Sequence, residues 1–334
     1  LLSLAPALGG ATPNPRPRLD REALRAIIAL YTRPDSVPHP ADNSFSPERR
    51  ALGKLLFFDT RLSGGGEISC ASCHSPGKSY GDGLPRAIGA AKTPLGRRTP
   101  TVLNTAYAST LFWDGRAETL EQQALGPVQA AGEMNLPLPE MTKRLNGVAE
   151  YRELFRNAYG SASITADLVG KAIAQFERTV NSTLAPFDRW VSGDERAVSE
   201  AAKRGFVVFN GKGNCASCHS GWRLTDDSFH DIGIAGADTG RAAVIPGIEA
   251  IRFAFKTPTL RNVVERAPYM HDGSERTLEA VIDLYDRGGN ARRASLSPLI
   301  KPLGLLPREK RDLIAFLRTL SSRDTVSTPA RFPR

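Results

Sequence analysis

Apolar residues recur at helical spacing in two segments of the chain. Within residues 164–191 they fall on one stripe of a predicted helix, formed by Ile164, Leu168, Ile173, Phe176 and Val180. A second segment begins at Pro307, a residue suited to the first turn of a helix, and its apolar face comprises Leu313, Ile314, Leu317 and Leu320. Strand-like alternation is scarce, so the pattern predicts a mostly α-helical protein.

The beginning of the chain does not fit this helical pattern. It begins LLSLAPALGGA, an apolar run followed by small residues, which is typical of the end of a signal peptide; a loose hydrophobic terminus is the alternative. The next stretch, TPNPRPR, predicts a Pro-rich lead-in without regular structure. No apolar run reaches the ~18 residues of a membrane span, so none is predicted.

Composition and charge are those of a folded globular protein. The chain has 334 residues, 41% of them hydrophobic and 24% charged, enough for about two domains of ~150 residues. The net charge is +9, but Lys and Arg are scattered and form no basic run, which argues against nucleic-acid binding. An acidic protein partner and a merely solvated surface both fit this charge.

The four cysteines all lie in two copies of the sequence CASCHS. Cys70 and Cys73 precede His74 in the first copy, and the second copy places Cys215, Cys218 and His219 in the same order. C-x-x-C-H is the attachment signature of c-type haem, in which two thioethers hold the porphyrin and the histidine binds the iron. Zinc sites and redox disulfides also use such pairs, but two complete copies favour two covalent haems. Haem attachment of this type occurs outside the cytoplasm, which predicts a periplasmic protein.

The repeat extends well beyond the cysteines. TPTVLN begins at Thr99 and TPTLRN at Thr257; WDG at Trp113 matches HDG at His271, and TLE follows in both, always 158 residues apart. Such a repeat predicts two tandem cytochrome c-like haem domains. The expected boundaries are a signal remnant and lead-in over 1–40, a first haem domain over 41–192, a second over 193–323 and a tail over 324–334.

The repeat also predicts that the two haems differ. Whatever fills the sixth position of a haem iron decides its chemistry. Tyr285 lies 14 residues after His271, and the matching residue 14 after Trp113 is Pro127. Because tyrosine can bind iron and proline cannot, the second haem would be six-coordinate and the first open.

Two polar residues near Pro127 suit an open haem. Gln123 precedes it by one helical turn, and Glu133 follows it in VQAAGEMN. A carboxylate over an open iron can carry a proton from the inner to the outer oxygen of hydrogen peroxide, so that water leaves as the O–O bond breaks. Gln123 could orient the peroxide by hydrogen bonding. Without the haems, both residues would be interpreted as solvated surface.

The chain resembles the bacterial dihaem cytochrome c peroxidases and the related MauG proteins. The resemblance extends from about Asn43 to Leu320 and includes FFDTRLSGGGEISCASCH, RRTPTVLN, FWDGRAETLEQQALGPVQAAGEMN, GKGNCASCH, FKTPTLRN and APYMHDGS. It implies a peroxidatic haem on His74, an electron-transfer haem on His219, and an electron relay through Trp113. Gln123, Pro127 and Glu133 correspond to the distal pocket of the family.

Two departures favour the MauG-like branch. In many of the peroxidases, a loop histidine blocks the first iron until the second haem is reduced. The corresponding loop here is RAIGAAKTPLGRR. It has Ala90 near the expected place and contains no histidine that could block the first iron. The peroxidases also place methionine opposite the second iron, whereas MauG proteins place tyrosine there, as Tyr285 would be. Met270 and His271 lie nearby and are the alternatives. A hard phenolate oxygen favours oxidised iron more than a thioether does.

The resemblance further implies a calcium ion between the domains. The family binds it through backbone carbonyls, which correspond to Arg266 and Pro268, and through an asparagine side chain. Arg98 stands at the asparagine position, so the ligand set departs from that of the family.

The leading hypothesis is a periplasmic dihaem enzyme that uses hydrogen peroxide and, as in MauG, oxidises a protein partner. The first alternative is a cytochrome c peroxidase that removes peroxide with electrons from small redox proteins. The second alternative is a dihaem electron carrier, which would need both irons to be six-coordinate.

Overall fold

The computed structural model describes residues 21–322 and 328–334, and helices dominate both halves. The first half contains α1 (Arg21–Ala29), α2 (Pro47–Phe58), α3 (Cys70–Cys73), α4 (Leu120–Gln129), α5 (Leu138–Asn146), α6 (Ala149–Tyr159) and α7 (Ala166–Glu177). The second contains α8 (Pro186–Val191), α9 (Glu200–Asn210), α10 (Leu278–Asp286) and α11 (Pro307–Arg318). Short 3-10 turns link these helices.

Within the described ranges, strands form one small sheet, and a few isolated β-bridges lie elsewhere. Two-residue strands, β1 (Phe229–His230) and β2 (Phe255–Lys256), pair antiparallel. The predicted mostly helical fold is therefore confirmed. None of the described helices has the length and apolar character needed to cross a membrane. The signal-like start and the TPNPRPR stretch lie outside the described residues.

The predicted helix over 164–191 is interrupted, whereas the one beginning at Pro307 is confirmed. α7 starts after Thr165, whose hydroxyl accepts a hydrogen bond from the Leu168 amide at 3.3 Å. The segment 178–185 is not helical, and Pro186 begins α8. A threonine cap and a proline at a first turn are boundary signals that the apolar stripe alone does not reveal.

Two large apolar cores form, one in each half, beside a smaller cluster around Leu111 and Leu120. The first buries Leu56, Phe57, Phe155 and Phe176 completely or nearly so, and the second does the same for Phe187, Trp190, Phe206 and Phe316. Burying one such large side chain contributes about 1.5–3 kcal/mol. The domain boundary after residue 192 stays a prediction, although α8 already packs in the second core.

The second core also includes two features that the sequence did not predict. α1 lies in the expected lead-in, and the nearby Tyr31 ring is buried between Phe187 and Phe206. Arg261, which is fully buried, pairs with the Asp188 carboxylate of α8 at 2.8 Å. Removing one partner of such a buried pair typically costs about 3–5 kcal/mol, since the other charge is left unpaired.

The two halves are built on equivalent helix crossings. α2 crosses α7 at Gly53, where an added Cβ would lie 1.8 Å from the carbonyl oxygen of Ala172. α9 crosses α11 at Gly205, where it would lie 1.9 Å from the carbonyl oxygen of Asp312. Only glycine permits such a close approach of two backbones. Both glycines open the repeated segments that precede the haem motifs.

We expect Gly53→Ala and Gly205→Ala each to lower the thermal unfolding temperature of the haem-loaded protein by several degrees. The added methyl group meets a backbone carbonyl that cannot rotate away, and overpacking of this kind costs about 1–3 kcal/mol or more. Gly65→Ala is the matched control, because its Cβ would meet no atom closer than 3.9 Å. Equal unfolding temperatures for all three variants would show that the helices separate without cost.

Candidate active site

The first CASCHS motif forms a compact turn that orients its histidine. α3 contains Cys70 and Cys73, and the His74 amide donates to the Cys70 carbonyl at 2.8 Å. Nδ1 of His74 lies 3.2 Å from the Tyr80 carbonyl oxygen. A carbonyl can only accept, so Nδ1 carries the proton and Nε2 is left to bind a metal.

The second motif repeats this arrangement. The His219 amide donates to the Cys215 carbonyl at 2.8 Å, and Nδ1 of His219 lies 2.9 Å from the Leu224 carbonyl oxygen. Burial lowers the pKa of both His74 and His219. Both imidazoles are therefore held in the neutral form that binds iron.

One cavity of about 760 Å³ contains both motifs. All four cysteines are unpaired and line it together with both histidines. Its wall is mostly apolar. The lysine and arginine side chains along it suit the propionates of haem; they are Arg97, Arg98, Arg116, Arg223, Lys256, Arg266 and Lys301. The residues present therefore fit two covalently bound haems.

Matching helices carry the two residues expected at the sixth positions. α4 begins at Thr119 and α10 at Thr277, and each hydroxyl accepts from the amide three residues later. Pro127 and Tyr285 are both the eighth residue after these caps, and both line the cavity. Burial raises the pKa of Tyr285, so its hydroxyl is neutral in the absence of a metal.

The segment after α4 folds back and places Glu133 in the cavity wall. The Met134 amide donates to the Pro127 carbonyl at 3.0 Å, and Gln123 lies one turn earlier on α4. Burial raises the pKa of Glu133, and the charge of Arg116 opposes this rise. Gln123, Pro127 and Glu133 all line the cavity, and their distal-pocket role stays a prediction.

The loop around Ala90 packs directly against this segment. The Ala90 amide donates to the Glu133 carbonyl at 2.6 Å. A Cβ at Gly89 would lie 1.9 Å from the Gly132 carbonyl oxygen, so glycine is required there. The described loop contributes no imidazole to the cavity, in keeping with its sequence.

Trp113 lies in the cavity wall where the two halves meet. Its indole N–H donates to the Arg98 carbonyl at 2.9 Å, and its own carbonyl accepts from the Lys256 amide at 2.8 Å. Its ring contacts that of His271 edge-on, with centroids 6.4 Å apart. His271, the repeat partner of Trp113, thus faces it across the contact between the halves, which the sequence analysis did not predict.

An ion-pair network holds the same contact. Arg97 donates to Asp114 and to Asp238, each at 2.6 Å, and so links the first half to the second. Arg241 of the second half donates to the carbonyl oxygens of Asp114 and Gly115 at 2.8 and 2.7 Å. The residues on either side of Trp113 are therefore fixed by bonds from both halves.

The three residues of the expected calcium site lie together in a different arrangement. Arg98 and Arg266 are both 6% exposed, and the Arg98 guanidinium donates to the Arg266 carbonyl. Pro268 follows two residues later. The Arg98 guanidinium is thus hydrogen-bonded to the Arg266 carbonyl, which was expected to bind calcium.

Glu177, the last residue of α7, is a candidate that the sequence analysis missed. It is 3% exposed, lines the cavity, and its Oε2 has no hydrogen-bond partner among the described residues. Burial raises its pKa to about 8, although the charge of Arg178 lowers it. The sequence signal that could have identified it is an acidic residue directly after the mostly apolar run AIAQF.

Comparison with known proteins agrees with this site. A family model described as di-haem cytochrome c peroxidase matches residues 47–196, and one described as cytochrome c matches residues 202–321. The methylamine utilization protein MauG of Methylorubrum extorquens is 51% identical over 94% of this chain and 89% of that protein. The chain belongs to the MauG and dihaem cytochrome c peroxidase family.

Peroxidases of this family are more distant relatives. Cytochrome c551 peroxidase of Nitrosomonas europaea is 36% identical over 81% of this chain and 79% of that protein. The solved structure of a MauG-like protein associated with microbial copper homeostasis has a TM-score of 0.80 and 34% identity, covering 86% of this chain and 94% of that one. The chain is therefore a MauG-like, dihaem oxidoreductase of the peroxidase type with two c-type haems, as predicted.

We expect Glu177→Gln to remove a pH-dependent loss of stability. In the folded protein the carboxyl group keeps its proton up to about pH 8, whereas the unfolded chain releases it near 4.5. Wild-type stability therefore falls as the pH rises between these values, by up to a few kcal/mol. The variant should become the more stable of the two towards pH 8 in thermal unfolding of the holoprotein.

Glu140→Gln, at an exposed carboxylate on α5, is the control and should track the wild type. Parallel curves for Glu177→Gln and wild type from pH 5 to 9 would contradict a protonated Glu177.

Proposed function

We propose that this chain is a periplasmic enzyme that cleaves hydrogen peroxide at the haem of His74 and delivers the oxidising equivalents to a protein partner. The observation that carries the proposal is the placement of Pro127 and Tyr285 at matching positions of α4 and α10. A bound c-type haem supplies an iron that takes peroxide where its sixth position is open and that stores oxidising equivalents. Pro127 offers no ligand atom to an iron at the first site, whereas the hydroxyl of Tyr285 would be available as a ligand at the second.

The residues around Pro127 perform the proton transfer in this proposal. Glu133, with its raised pKa, accepts a proton from the inner oxygen of peroxide and returns it to the outer oxygen. The outer oxygen could then leave as water, and the two electrons that this cleavage requires would be supplied by the bound haems. Gln123 orients the peroxide by donating a hydrogen bond.

Trp113 connects the two sites. It lines the cavity that holds both haem motifs, and bonds from both halves fix its indole and its carbonyl. A buried, rigid aromatic ring at this contact is well placed to pass electrons from the side of His219 to that of His74. The oxidising equivalents are thereby shared between the two haems.

The identity of the final electron source separates the two candidate functions. Tyr285 and the Ala90 loop favour oxidation of side chains in a protein partner, and the net charge of +9 favours an acidic one. In the alternative, small redox proteins resupply the electrons and peroxide is removed. A dihaem electron carrier would require a ligand at the position of Pro127, and proline offers none.

Haem attachment outside the cytoplasm and the signal-like first residues support the periplasmic assignment.

Calcium is not part of the proposed function, because the Arg98 guanidinium binds the Arg266 carbonyl that was expected to bind it.

We expect one equivalent of hydrogen peroxide to change the Soret band of the diferric holoprotein at once, without reductant, and to remove both ferric EPR signals. Glu133→Gln should slow this reaction roughly 100-fold or more, since general acid–base groups typically contribute 10²–10⁴-fold. Glu140→Gln is the matched control and should react like the wild type. A reaction that needs one added electron would instead indicate a capped first iron and the alternative peroxidase function.

We expect Tyr285→Phe to alter the ferric spectrum of the second haem before any peroxide is added. The substitution removes the phenolic oxygen and keeps the ring that fills the cavity wall, so it changes the ligand with little change in packing. Optical and EPR spectra of the diferric protein provide the measurement. Spectra identical to those of the wild type would show that Tyr285 does not bind the second iron.

A further inference from the structure

A buried pair of guanidinium groups lies where the two halves of the molecule meet. Arg98 belongs to the first half and Arg266 to the second, and each is 6% exposed. Arg98 donates to the carbonyl of Arg266, while Arg266 donates within its own half to the Thr259 carbonyl at 2.5 Å. Neither forms an ion pair with a carboxylate among the residues that the structure describes.

This environment does not fit a calcium ion. Calcium requires six to eight oxygen ligands, commonly including carboxylates. The Arg266 carbonyl already accepts a hydrogen bond from the Arg98 guanidinium, and a guanidinium bound there would repel a divalent ion. The Asp82 carboxylate is engaged by the Thr99 hydroxyl at 2.6 Å and by the Leu84 amide at 2.9 Å.

The electrostatics of the pair agree with this conclusion. Burial, the larger cause, and the charge of Arg98 together lower the pKa of Arg266 to about 9. Burial also lowers the pKa of Arg98. Further positive charge at this site would therefore be unfavourable.

We propose that the guanidinium of Arg98 takes the place of the calcium ion between the domains, so that this protein assembles and holds its haems without calcium. A cation covalently attached to the first half binds a carbonyl of the second half. It therefore connects the two halves, as a bridging metal ion would.

The same residue positions Trp113. The Arg98 carbonyl accepts from the Trp113 indole at 2.9 Å, and its amide donates to the His271 carbonyl at 2.8 Å. Arg98 therefore makes three hydrogen bonds, one to the Trp113 indole and two to carbonyls of the second half. Loss of the cation should be detected at Trp113 as well as in overall stability.

The first test is the metal content of the wild-type holoprotein. The protein is equilibrated with millimolar calcium chloride, desalted, and analysed by inductively coupled plasma mass spectrometry. We expect no stoichiometric calcium, and no change in the Soret spectrum or the unfolding temperature after EGTA treatment. About one calcium per chain, or a lower unfolding temperature in EGTA, would overturn the proposal.

The second test converts the site. Arg98→Asn removes the cation and restores the side chain that the family resemblance implies as a calcium ligand, so calcium chloride should now raise the unfolding temperature of the holoprotein and bind stoichiometrically. Arg98→Lys, which keeps a cation, is the matched control and should ignore calcium. Tryptophan fluorescence should change with calcium in Arg98→Asn alone.

A folded Arg98→Asn protein that ignores calcium would overturn the role assigned to Arg98. If that variant does not fold with haem, the wild-type calcium content decides the question by itself. These readouts do not depend on peroxide chemistry, so they remain valid if the proposed function is wrong.

Discussion

The close packing of α7 against its neighbours is the constraint on which the first haem site depends. α7 meets α2 at Gly53 and meets α4 at Gly170, where an added Cβ would lie 2.8 Å from the Glu121 carbonyl oxygen. α2 leads into the motif of His74, and α4 carries the residues opposite it. A single helix thus sets the separation between the proximal histidine and Pro127, because backbone contacts leave little freedom for it to change.

The two halves show how one architecture supports two environments. α9 and α11 repeat the crossing of α2 and α7, and α10 repeats α4 with the same threonine cap. At matching positions of this shared framework, the side chains differ, with Trp113 against His271 and Pro127 against Tyr285. Because the helices are fixed by their own packing, these side chains can differ without altering the fold.

Charge is distributed unequally between the surface and the contact of the halves. Exposed ion pairs contribute little to stability, whereas Arg97, Arg98 and Arg266 are largely buried along the cavity. Arg97 finds carboxylates in both halves, at Asp114 and Asp238. Arg98 and Arg266 have only carbonyl partners among the described residues, so cationic charge is concentrated beside Trp113 and along the wall that faces the haems.

The sequence by itself determined the cofactor and predicted that its two sites differ. Two copies of C-x-x-C-H and a constant repeat distance identify two haem domains without any coordinates, because the attachment chemistry is local and spans only five residues. The same repeat distance aligned Pro127 with Tyr285, since equivalent caps begin equivalent helices. Periodicity likewise predicted α11, but it merged α7 with α8. The reason is that capping residues and prolines set the ends of helices, whereas apolar spacing does not.

Only the tertiary structure decided which distant residues meet. The approach of Arg98 to the Arg266 carbonyl, the contact of Trp113 with His271 and the burial of Glu177 all join residues remote in sequence or depend on what surrounds them. Apolar periodicity carries no information about such partners, since it reports only which face of a helix is buried. The pairing of two cations at the contact between the halves therefore required the packed structure of both.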